Sequence, residues 1–319
     1  MTRFANMCTL LIVALTAGGL ALPLVADQGP CPDWQNAIVF TRDDPETGYD
    51  LFIVQPDGTG LTHLDTNPDR WDGEPRWSPD HCRILYGADI KGSNSEIRVI
   101  NPDGSGMETL VGSNSDDEHW NPAWSPDGRR IAFAVTPKIA AHEMGEDDIW
   151  VANADGSGAE KITGLPGDEH WLAWSPVDDR IAFKAEVTGR NDIFVIKADG
   201  SGLTQLTRDQ KANTHPAWSP DGTEIAFISN RSRYIEIWIM DADGSNPRQI
   251  TQFGSSIPGS PQFLAFSPDG TRLVFSMQPE RGTNDKDLYV MNIDGSGLYN
   301  LTALFSQAAD GARDVWADW

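Results

Sequence analysis

Short apolar runs recur along the chain and alternate with polar turn sequences. Runs such as "RIAFAV" and "DIWVAN" are nearly continuous in apolar residues, and the turns between runs read "SPDG" or "ADGSG". Proline presets φ for the first turn position, and Asp and Gly accept the tight conformations that follow. Beyond the apolar N-terminus, no stretch shows the period of an amphipathic helix. The pattern therefore predicts short strands joined by tight turns.

The strands belong to a repeat of about 44–50 residues. An aromatic residue followed by Ser-Pro occurs at Trp77, Trp124, Trp174, Trp218 and Phe266, spaced 47, 50, 44 and 48 residues apart. A second element, Asp-Gly-Ser/Thr-Gly/Asn, begins at Asp57, Asp103, Asp155, Asp199, Asp243 and Asp294. Four short strands per unit, covered on both faces by neighbouring units, are typical of a β-propeller. The large aromatics are then expected to pack between blades.

The two ends of the repeat complete each other. The first unit begins at "AIVF" (37–40) without an aromatic-Ser-Pro strand, and the last residues, "RDVWADW", resemble that strand, with Trp319 or Trp316 in the aromatic position. We therefore predict an all-β, six-bladed β-propeller of four-stranded antiparallel blades over residues 37–319. The C-terminal strand is expected to close it by completing the N-terminal blade.

The repeat resembles that of a known family. "PAWSPDGRRIAF…DIWVANADGSG" is similar to the WD-like repeat of TolB-type propellers, and the likeness covers about residues 35–319. The resemblance implies the propeller fold and is weak for function. TolB itself has an additional α/β domain before its propeller. Here only residues 27–36 separate the apolar N-terminus from the first blade, so we expect a stand-alone propeller. The chain has no Gly-x-Ser-x-Gly elbow, which argues against the serine-peptidase activity that accompanies some similar propellers.

The N-terminus and the cysteines indicate export. Residues 1–26 contain Arg3 followed by "TLLIVALTAGGLALPLVA", the layout of a secretory signal peptide. We expect residues 27–36 to be a short leader and the protein to be periplasmic or extracellular, with a retained membrane anchor as the alternative. In an oxidising compartment, Cys31 and Cys82 predict a disulfide, and two unpaired thiols are the alternative.

The charge limits the class of partner. A formal net charge of −23 repels phosphate backbones, so we expect no nucleic-acid partner. Such a surface suits cations or basic proteins. We expect a monomer that does not span the membrane after signal cleavage.

Candidate functional residues precede the innermost strands. Two similar segments, "DDEHWNPAWSP" (116–126) and "GDEHWLAWSP" (167–176), are predicted to lie on the face that carries the loops between second and third strands. Aligned on the aromatic-Ser-Pro element, these two segments and the corresponding segments of two neighbouring units bring His, acid and Trp residues of four blades to one rim of the channel: Trp71, Asp72, Glu74, His119, Trp120, Glu169, His170, Trp171 and His215.

Several kinds of chemistry suit such a rim. Exposed Trp can stack on a sugar or a peptide, and histidines beside carboxylates can ligate a transition metal. The metal-ligand candidates are His119, His170 and His215. The related oligogalacturonate lyases hold a metal with channel histidines, which implies that a site of this kind is geometrically feasible. Alternatively, these residues only hydrogen-bond the blades together.

Three functions follow as hypotheses. The favoured one is an exported non-catalytic binding or scaffold module, which engages a protein or polymer through the loop face and the channel rim. It assigns no catalytic residue and needs no cofactor. The first alternative is a metal-assisted polysaccharide lyase or hydrolase, with a divalent metal and a base drawn from Arg70, Arg76, Lys184 or Arg190. The second is a structural propeller whose turn aspartates bind Ca²⁺.

Overall fold

Six four-stranded antiparallel sheets form the protein and confirm the predicted propeller. A computed structural model describes residues 31, 34–44, 48–64, 70–90, 95–112, 116–140, 143–187, 189–254, 259–279, 285–305 and 312–319. The predicted signal peptide lies outside the described residues. No helix in these ranges is long and apolar enough to cross a membrane.

The strands, numbered in chain order, are given for each blade from the channel outward. Blade 1 contains β26 (Arg313–Asp318), β1 (Ile38–Asp44), β2 (Gly48–Val54) and β3 (Thr62–His63). Blade 2 contains β4 (Arg70–Trp77), β5 (Ile84–Ile90), β6 (Ser95–Ile100) and β7 (Glu108–Val111). Blade 3 contains β8 (Glu118–Trp124), β9 (Arg130–Thr136), β12 (Asp148–Asn153) and β13 (Glu160–Lys161).

The other three blades repeat this order. Blade 4 contains β14 (Glu169–Trp174), β15 (Arg180–Glu186), β16 (Asn191–Lys197) and β17 (Thr204–Gln205). Blade 5 contains β18 (Asn213–Trp218), β19 (Glu224–Ser229), β20 (Glu236–Asp241) and β21 (Arg248–Gln249). Blade 6 contains β22 (Gln262–Phe266), β23 (Arg272–Met277), β24 (Asp287–Asn292) and β25 (Tyr299–Asn300). A hairpin of β10 (Lys138–Ala140) and β11 (Glu143–Met144) extends blade 3, and a single helical turn, α1 (Thr302–Phe305), follows blade 6.

The C-terminal strand closes the propeller, as predicted. β26 pairs antiparallel with β1, and the Arg42 guanidinium donates two hydrogen bonds, of 2.7 and 2.8 Å, to the Asp314 carboxylate. Trp319, rather than Trp316, takes the aromatic position. Its indole Nε1 donates to the Asn36 carbonyl at 3.0 Å. The first blade is therefore held by both ends of the chain.

The core lies between blades rather than in one centre. Six clusters of buried side chains each combine residues of two successive blades. Each cluster includes one aromatic of the repeat, at Trp77, Trp124, Trp174, Trp218, Phe266 or Trp319. The guanidinium of Arg180 lies 4.7 Å from the Trp218 ring, and similar cation–π contacts recur at other interfaces. Burial of these aromatics holds neighbouring blades in register.

The leader is fixed to blade 2. Cys31 and Cys82, paired in the sequence interpretation, form a disulfide with a Cα–Cα distance of 5.3 Å. The partly buried Trp34 packs against the core cluster between blades 1 and 2. The covalent bond and the tryptophan together hold the start of the chain against the propeller.

Candidate functional site

Each innermost strand contains a β-bulge three residues before its aromatic. We count back from that aromatic, so this residue is at position −3. The strand pairing shifts register at the bulge in all six blades. The residue at −3 has a φ between 48° and 57° in every case: Trp316, Glu74, Asn121, Trp171, His215 and Phe263 in blades 1 to 6. A bulge redirects the side chain it carries. Contacts link these six residues around the channel, with Gly73 between Trp316 and Glu74. We call them the channel ring.

One half of the ring is polar. The Asn121 backbone N–H and side-chain amide both donate to the Glu74 carboxylate, and the Asn121 Oδ1 accepts a 2.8 Å bond from the Trp171 backbone N–H. Burial raises the pKa of Glu74, and the bonds from Asn121 act in the opposite direction. These bonds link blades 2, 3 and 4 directly.

The other half of the ring is aromatic. The Trp171 and His215 rings stack with centroids 3.7 Å apart. Phe263 meets His215 edge-on at 4.8 Å and Trp316 at 5.4 Å. Trp316 reaches blade 2 at Gly73, where a Cβ would lie 3.1 Å from the indole. The absence of a side chain at Gly73 therefore allows the ring to close.

The aromatic contacts continue from the ring to the loop face. Tyr49, just after the start of β2, lies 5.6 Å from Trp316 and 5.9 Å from Trp71 between ring centroids. Trp71 is 57% exposed, whereas all other tryptophans of the described residues are buried or partly buried. Six rings thus form a continuous series from the rim to the centre of the channel. This aromatic path consists of Trp71, Tyr49, Trp316, Phe263, His215 and Trp171.

The two "DEHW" segments are out of step by one residue. Trp120 lies four residues before its aromatic and Trp171 lies three before, because "DEHWNPAW" has one more residue than "DEHWLAW". A shift of one residue moves a strand's side chains to the opposite face. Trp171 therefore enters the channel ring, whereas Trp120 packs, partly buried, against the cluster between blades 3 and 4. The similar motifs do not form equivalent sites.

Three predicted rim residues at position −5 are buried rather than exposed on the rim. Asp72, His119 and Glu169 are each at most 5% exposed. The His119 Nδ1 lies 3.2 Å from the Ser95 carbonyl of blade 2, and burial lowers the pKa of His119. His119 and Glu169 therefore join adjacent blades, which is the alternative stated above for these residues.

The Glu169 carboxyl is both hydrogen-bonded and strongly desolvated. Its carboxylate accepts bonds from the Thr163 hydroxyl and, at 3.0 Å, from the Leu165 backbone N–H. Burial nevertheless raises the pKa of Glu169 to about 7. The hydrogen bonds offset only part of the cost of desolvating the charge.

The three candidate histidine ligands are not brought together. They occupy positions −5, −4 and −3, and they do not form a group of metal ligands within the described ranges. The group that does form joins Asp147, Asp168 and His170, whose ligand atoms all lie within 4.8 Å of one another. The His170 Nε2 lies 2.9 Å from the Asp147 carboxylate. Burial acts to raise the pKa of Asp147, but the hydrogen bonds from His170 and Thr136 and the positive charges nearby lower it overall. One histidine and two carboxylates suit a divalent transition metal.

A cavity that the sequence analysis did not predict opens on the opposite, turn face. It encloses about 500 Å³ and includes the −1 residue of every blade among its lining: Arg76, Ala123, Ala173, Ala217, Ala265 and Asp318. No residue of the channel ring lines it. Arg76 and Asp318 are the charged −1 residues, and burial raises the pKa of Asp318.

The turn aspartates are engaged within their own turns. The Asp103 Oδ1 accepts bonds of 2.9 and 2.6 Å from the Ser105 N–H and hydroxyl, which lower the pKa of Asp103. The same pair of bonds recurs at Asp57, Asp155 and Asp294. These carboxylates stabilise the turns, in agreement with the turn-forming role of Asp in the repeat.

Four residues of the ring and the aromatic path were not predicted from the sequence: Tyr49, Asn121, Phe263 and Trp316. The last three share position −3 with Glu74, Trp171 and His215. Reading that column across all six repeats would have identified the ring. Tyr49 lies outside both repeat motifs, and nothing in the sequence marked it.

Comparison with known proteins agrees with this architecture. The model of the TolB beta propeller domain matches residues 89–263, more than half of the chain. The chain belongs to the TolB β-propeller domain family. It is 30% identical over 159 residues to an uncharacterized protein of Agrobacterium fabrum, covering 49% of this chain and 50% of that protein. It is also 34% identical over 107 residues to the Tol-Pal system protein TolB of Anaeromyxobacter dehalogenans, covering 31% and 21%.

Solved structures of TolB-type propellers share the fold. TolB from Acinetobacter baumannii superposes with a TM-score of 0.72 at 21% identity, covering 90% of this chain and 67% of that one. An oligogalacturonate lyase in complex with manganese superposes with a TM-score of 0.57 at 14% identity, covering 79% and 70%. At these identities the likeness extends to the fold alone. The chain spans between about a fifth and a half of the length of the curated relatives above.

Proposed function

We propose that this TolB-type propeller is an exported, non-catalytic binding module that holds a protein partner against its loop face. The aromatic path carries this proposal. It begins at an exposed indole, Trp71, and reaches the centre of the channel through rings in mutual contact. Large aromatics with an exposed end are typical anchors of protein interfaces, because they bury much area with little loss of side-chain entropy.

The bonding of the other rim residues supports binding rather than catalysis. His119 and Glu169 contact groups of the preceding blade, and His170 is paired with Asp147. A general acid or base must reach the proton that it transfers. Side chains that are bonded between blades serve mainly to fix the rim on which the exposed aromatics stand.

The names of the relatives favour a protein as the partner. Three of them are named Tol-Pal system protein TolB, which assigns those proteins to the Tol-Pal system. We extend only the class of ligand, a protein, to this chain. The net charge of −23 favours a partner whose surface around the contact is basic.

Export is supported by two independent features. The segment 1–26 has the composition of a cleaved signal peptide. The disulfide between Cys31 and Cys82 suits an oxidising compartment. We accordingly place the protein in the periplasm or outside the cell.

A pull-down comparison tests the proposal. Wild-type protein, Trp71→Ala and a control, Leu203→Ala, are immobilised and exposed to an envelope extract. Leu203 is likewise an exposed apolar residue, 43% accessible, but lies next to the outermost strand of blade 4. We expect at least one protein that the wild type and Leu203→Ala retain and Trp71→Ala loses. Retention of no protein, or equal retention by all three, would contradict the proposal.

One observation favours a second candidate, a metal-assisted lyase or hydrolase. The Asp147, Asp168 and His170 group lies beside Lys184, whose Nζ is 3.3 Å from the Asp168 carbonyl. Burial lowers the pKa of Lys184, as a catalytic base requires. Metal content by plasma mass spectrometry, for wild type and His170→Ala, tests this candidate. About one metal per chain, lost in the variant, supports it, and a metal-free wild type refutes it.

A further inference from the structure

The imidazole of His215 has a buried nitrogen without a partner. His215 is 8% exposed, and no hydrogen-bond partner of its Nε2 occurs among the described residues. Its Nδ1 lies 3.0 Å from the Thr214 hydroxyl. When that hydroxyl donates to Nδ1, the ring proton is on Nε2, which is then a donor without an acceptor. Buried donors of this kind are rare and costly.

Two lysines converge on the same part of the ring. The Lys184 Nζ lies 5.7 Å from the centroid of Trp171, which stacks on His215. Lys286 donates from Nζ to the Gln262 Oε1, next in sequence to Phe263, which touches His215 edge-on. Lys184 is 5% exposed, and few lysines are buried so completely without an ion pair. Two lysines therefore lie at the aromatic half of the channel ring in an otherwise acidic protein.

The carboxylates nearby leave this charge incompletely compensated. Burial lowers the pKa of Lys184, and the carboxylates of Asp168, Glu186 and Asp147 offset this only in part. Burial and the like charge of Arg313 lower the pKa of Lys286. Lys286 forms no ion pair within the described ranges. Burial and the positive charges of Lys286, Arg76 and Lys184 lower the pKa of His215 to about 3. An anion placed here would offset the cost of burying the charges of Lys184 and Lys286.

We propose that this site binds the carboxylate of an acidic side chain from the partner protein, between Lys184, Lys286 and the His215 Nε2. The inference rests on the proposed function, since it supplies the chemistry of the group that enters the channel. A sugar carboxylate fits less well, because stacking of a sugar needs a free aromatic face. His215 already covers one face of Trp171, and Lys184 lies over the indole as well.

Calorimetric titration with a short peptide tests the site. The probe is acetyl-Glu-Glu-amide, and its neutral match is acetyl-Gln-Gln-amide. The proteins are wild type, Lys286→Gln, His215→Phe and Lys197→Gln, an exposed lysine at the end of β16 that serves as the control. We expect the acidic peptide to bind wild type and the control, and to bind Lys286→Gln and His215→Phe about tenfold more weakly. Added salt should weaken binding to the wild type.

The inference would be overturned if the acidic peptide did not bind the wild type, if the neutral peptide bound equally well, or if Lys197→Gln weakened binding as much as Lys286→Gln and His215→Phe do. Trigalacturonate, titrated in parallel, separates the two sources of a carboxylate, and tighter binding of the sugar than of the peptide would also overturn it. If the peptide fails but the pull-down retains a Trp71-dependent protein, the proposed function stands and only the carboxylate site is wrong.

Discussion

The His215 imidazole stacks on the Trp171 indole with a centroid distance of 3.7 Å and an angle of 18° between the planes. The contact joins the adjacent blades 4 and 5 at the channel, separately from the cluster of buried side chains between these two blades. Both residues have positive φ at a bulge. The same backbone device in all six blades therefore creates both the closed ring and the inner end of the aromatic path.

We predict that His215 makes the protein less stable in acid. Burial and three nearby cations lower its pKa from 6.5 to about 3, so between these values the unfolded chain binds the proton and the folded protein does not. Its contribution to the free energy of unfolding is complete above pH 6.5 and is lost as the pH falls toward 3. The slope is at most about 1.4 kcal/mol per pH unit.

Urea unfolding at several pH values measures this slope. His215→Phe keeps an aromatic ring against Trp171 but does not titrate. The difference in unfolding free energy between wild type and variant should therefore change with pH between 6.5 and 3. A difference that is constant with pH would show that the imidazole is not shielded in the folded state.

Glu169 is expected to give the stability a pH dependence of the opposite sign to that from His215. Burial raises its pKa from 4.5 to about 7, so the folded protein holds the proton where the unfolded chain has lost it. Its contribution to stability is fully present below pH 4.5 and is lost as the pH rises to about 7. Glu169→Gln should remove this dependence, and the stability of the variant relative to wild type should therefore be greater at pH 8 than at pH 5. Thermal unfolding at the two values tests it, with Glu186→Gln, an exposed neighbour, as control.

The disulfide should stabilise the protein by closing a long loop. Cys31 and Cys82 are separated by 51 residues, for which loop-closure entropy predicts about 4 kcal/mol. We expect Cys31→Ser/Cys82→Ser to unfold at a markedly lower urea concentration than wild type. A reducing agent should lower the urea midpoint of the wild type but not that of the double variant. An unchanged midpoint in the double variant would show that the disulfide contributes nothing to stability.

Closure by the C-terminal strand should depend on Trp319. This indole is 6% exposed, donates to Asn36 and lies under the Arg272 guanidinium at 4.5 Å. Trp319→Ala should lower the unfolding free energy by about 3–5 kcal/mol. Trp71→Ala, which truncates an exposed indole, should change it by about 0.5 kcal/mol. Similar losses in both variants, measured by urea unfolding, would contradict the proposed closure.

Much of the fold could be predicted from the repeat. The spacing of the aromatic-Ser-Pro elements gives the number of blades, and the sequence around Trp319 gives the closing strand. These features follow from local turn chemistry and from the need to bury aromatics between blades. Whether Trp316 or Trp319 enters the interface depends on the bulge between them, which adds a residue to the strand.

The site was less predictable for the same reason. "DEHW" appears twice, but one extra residue before the aromatic separates the copies, so that His119 is buried between blades and Trp171 enters the channel. Periodicity alone places residues on a face only where the strand is regular. Tyr49, which connects Trp71 to Trp316 of the ring, lies on β2 rather than on an innermost strand, and it could be found only from the packed structure.

The most direct test of the binding function is the dissociation constant of the retained partner for three proteins. Calorimetry would compare wild type, Trp71→Ala and Leu203→Ala. If the aromatic path is the contact surface, Trp71→Ala should weaken binding by about 2 kcal/mol or more, as truncation of a central aromatic anchor does. Leu203→Ala should bind as the wild type does. Equal affinity of wild type and Trp71→Ala would show that the partner binds elsewhere and would contradict the account.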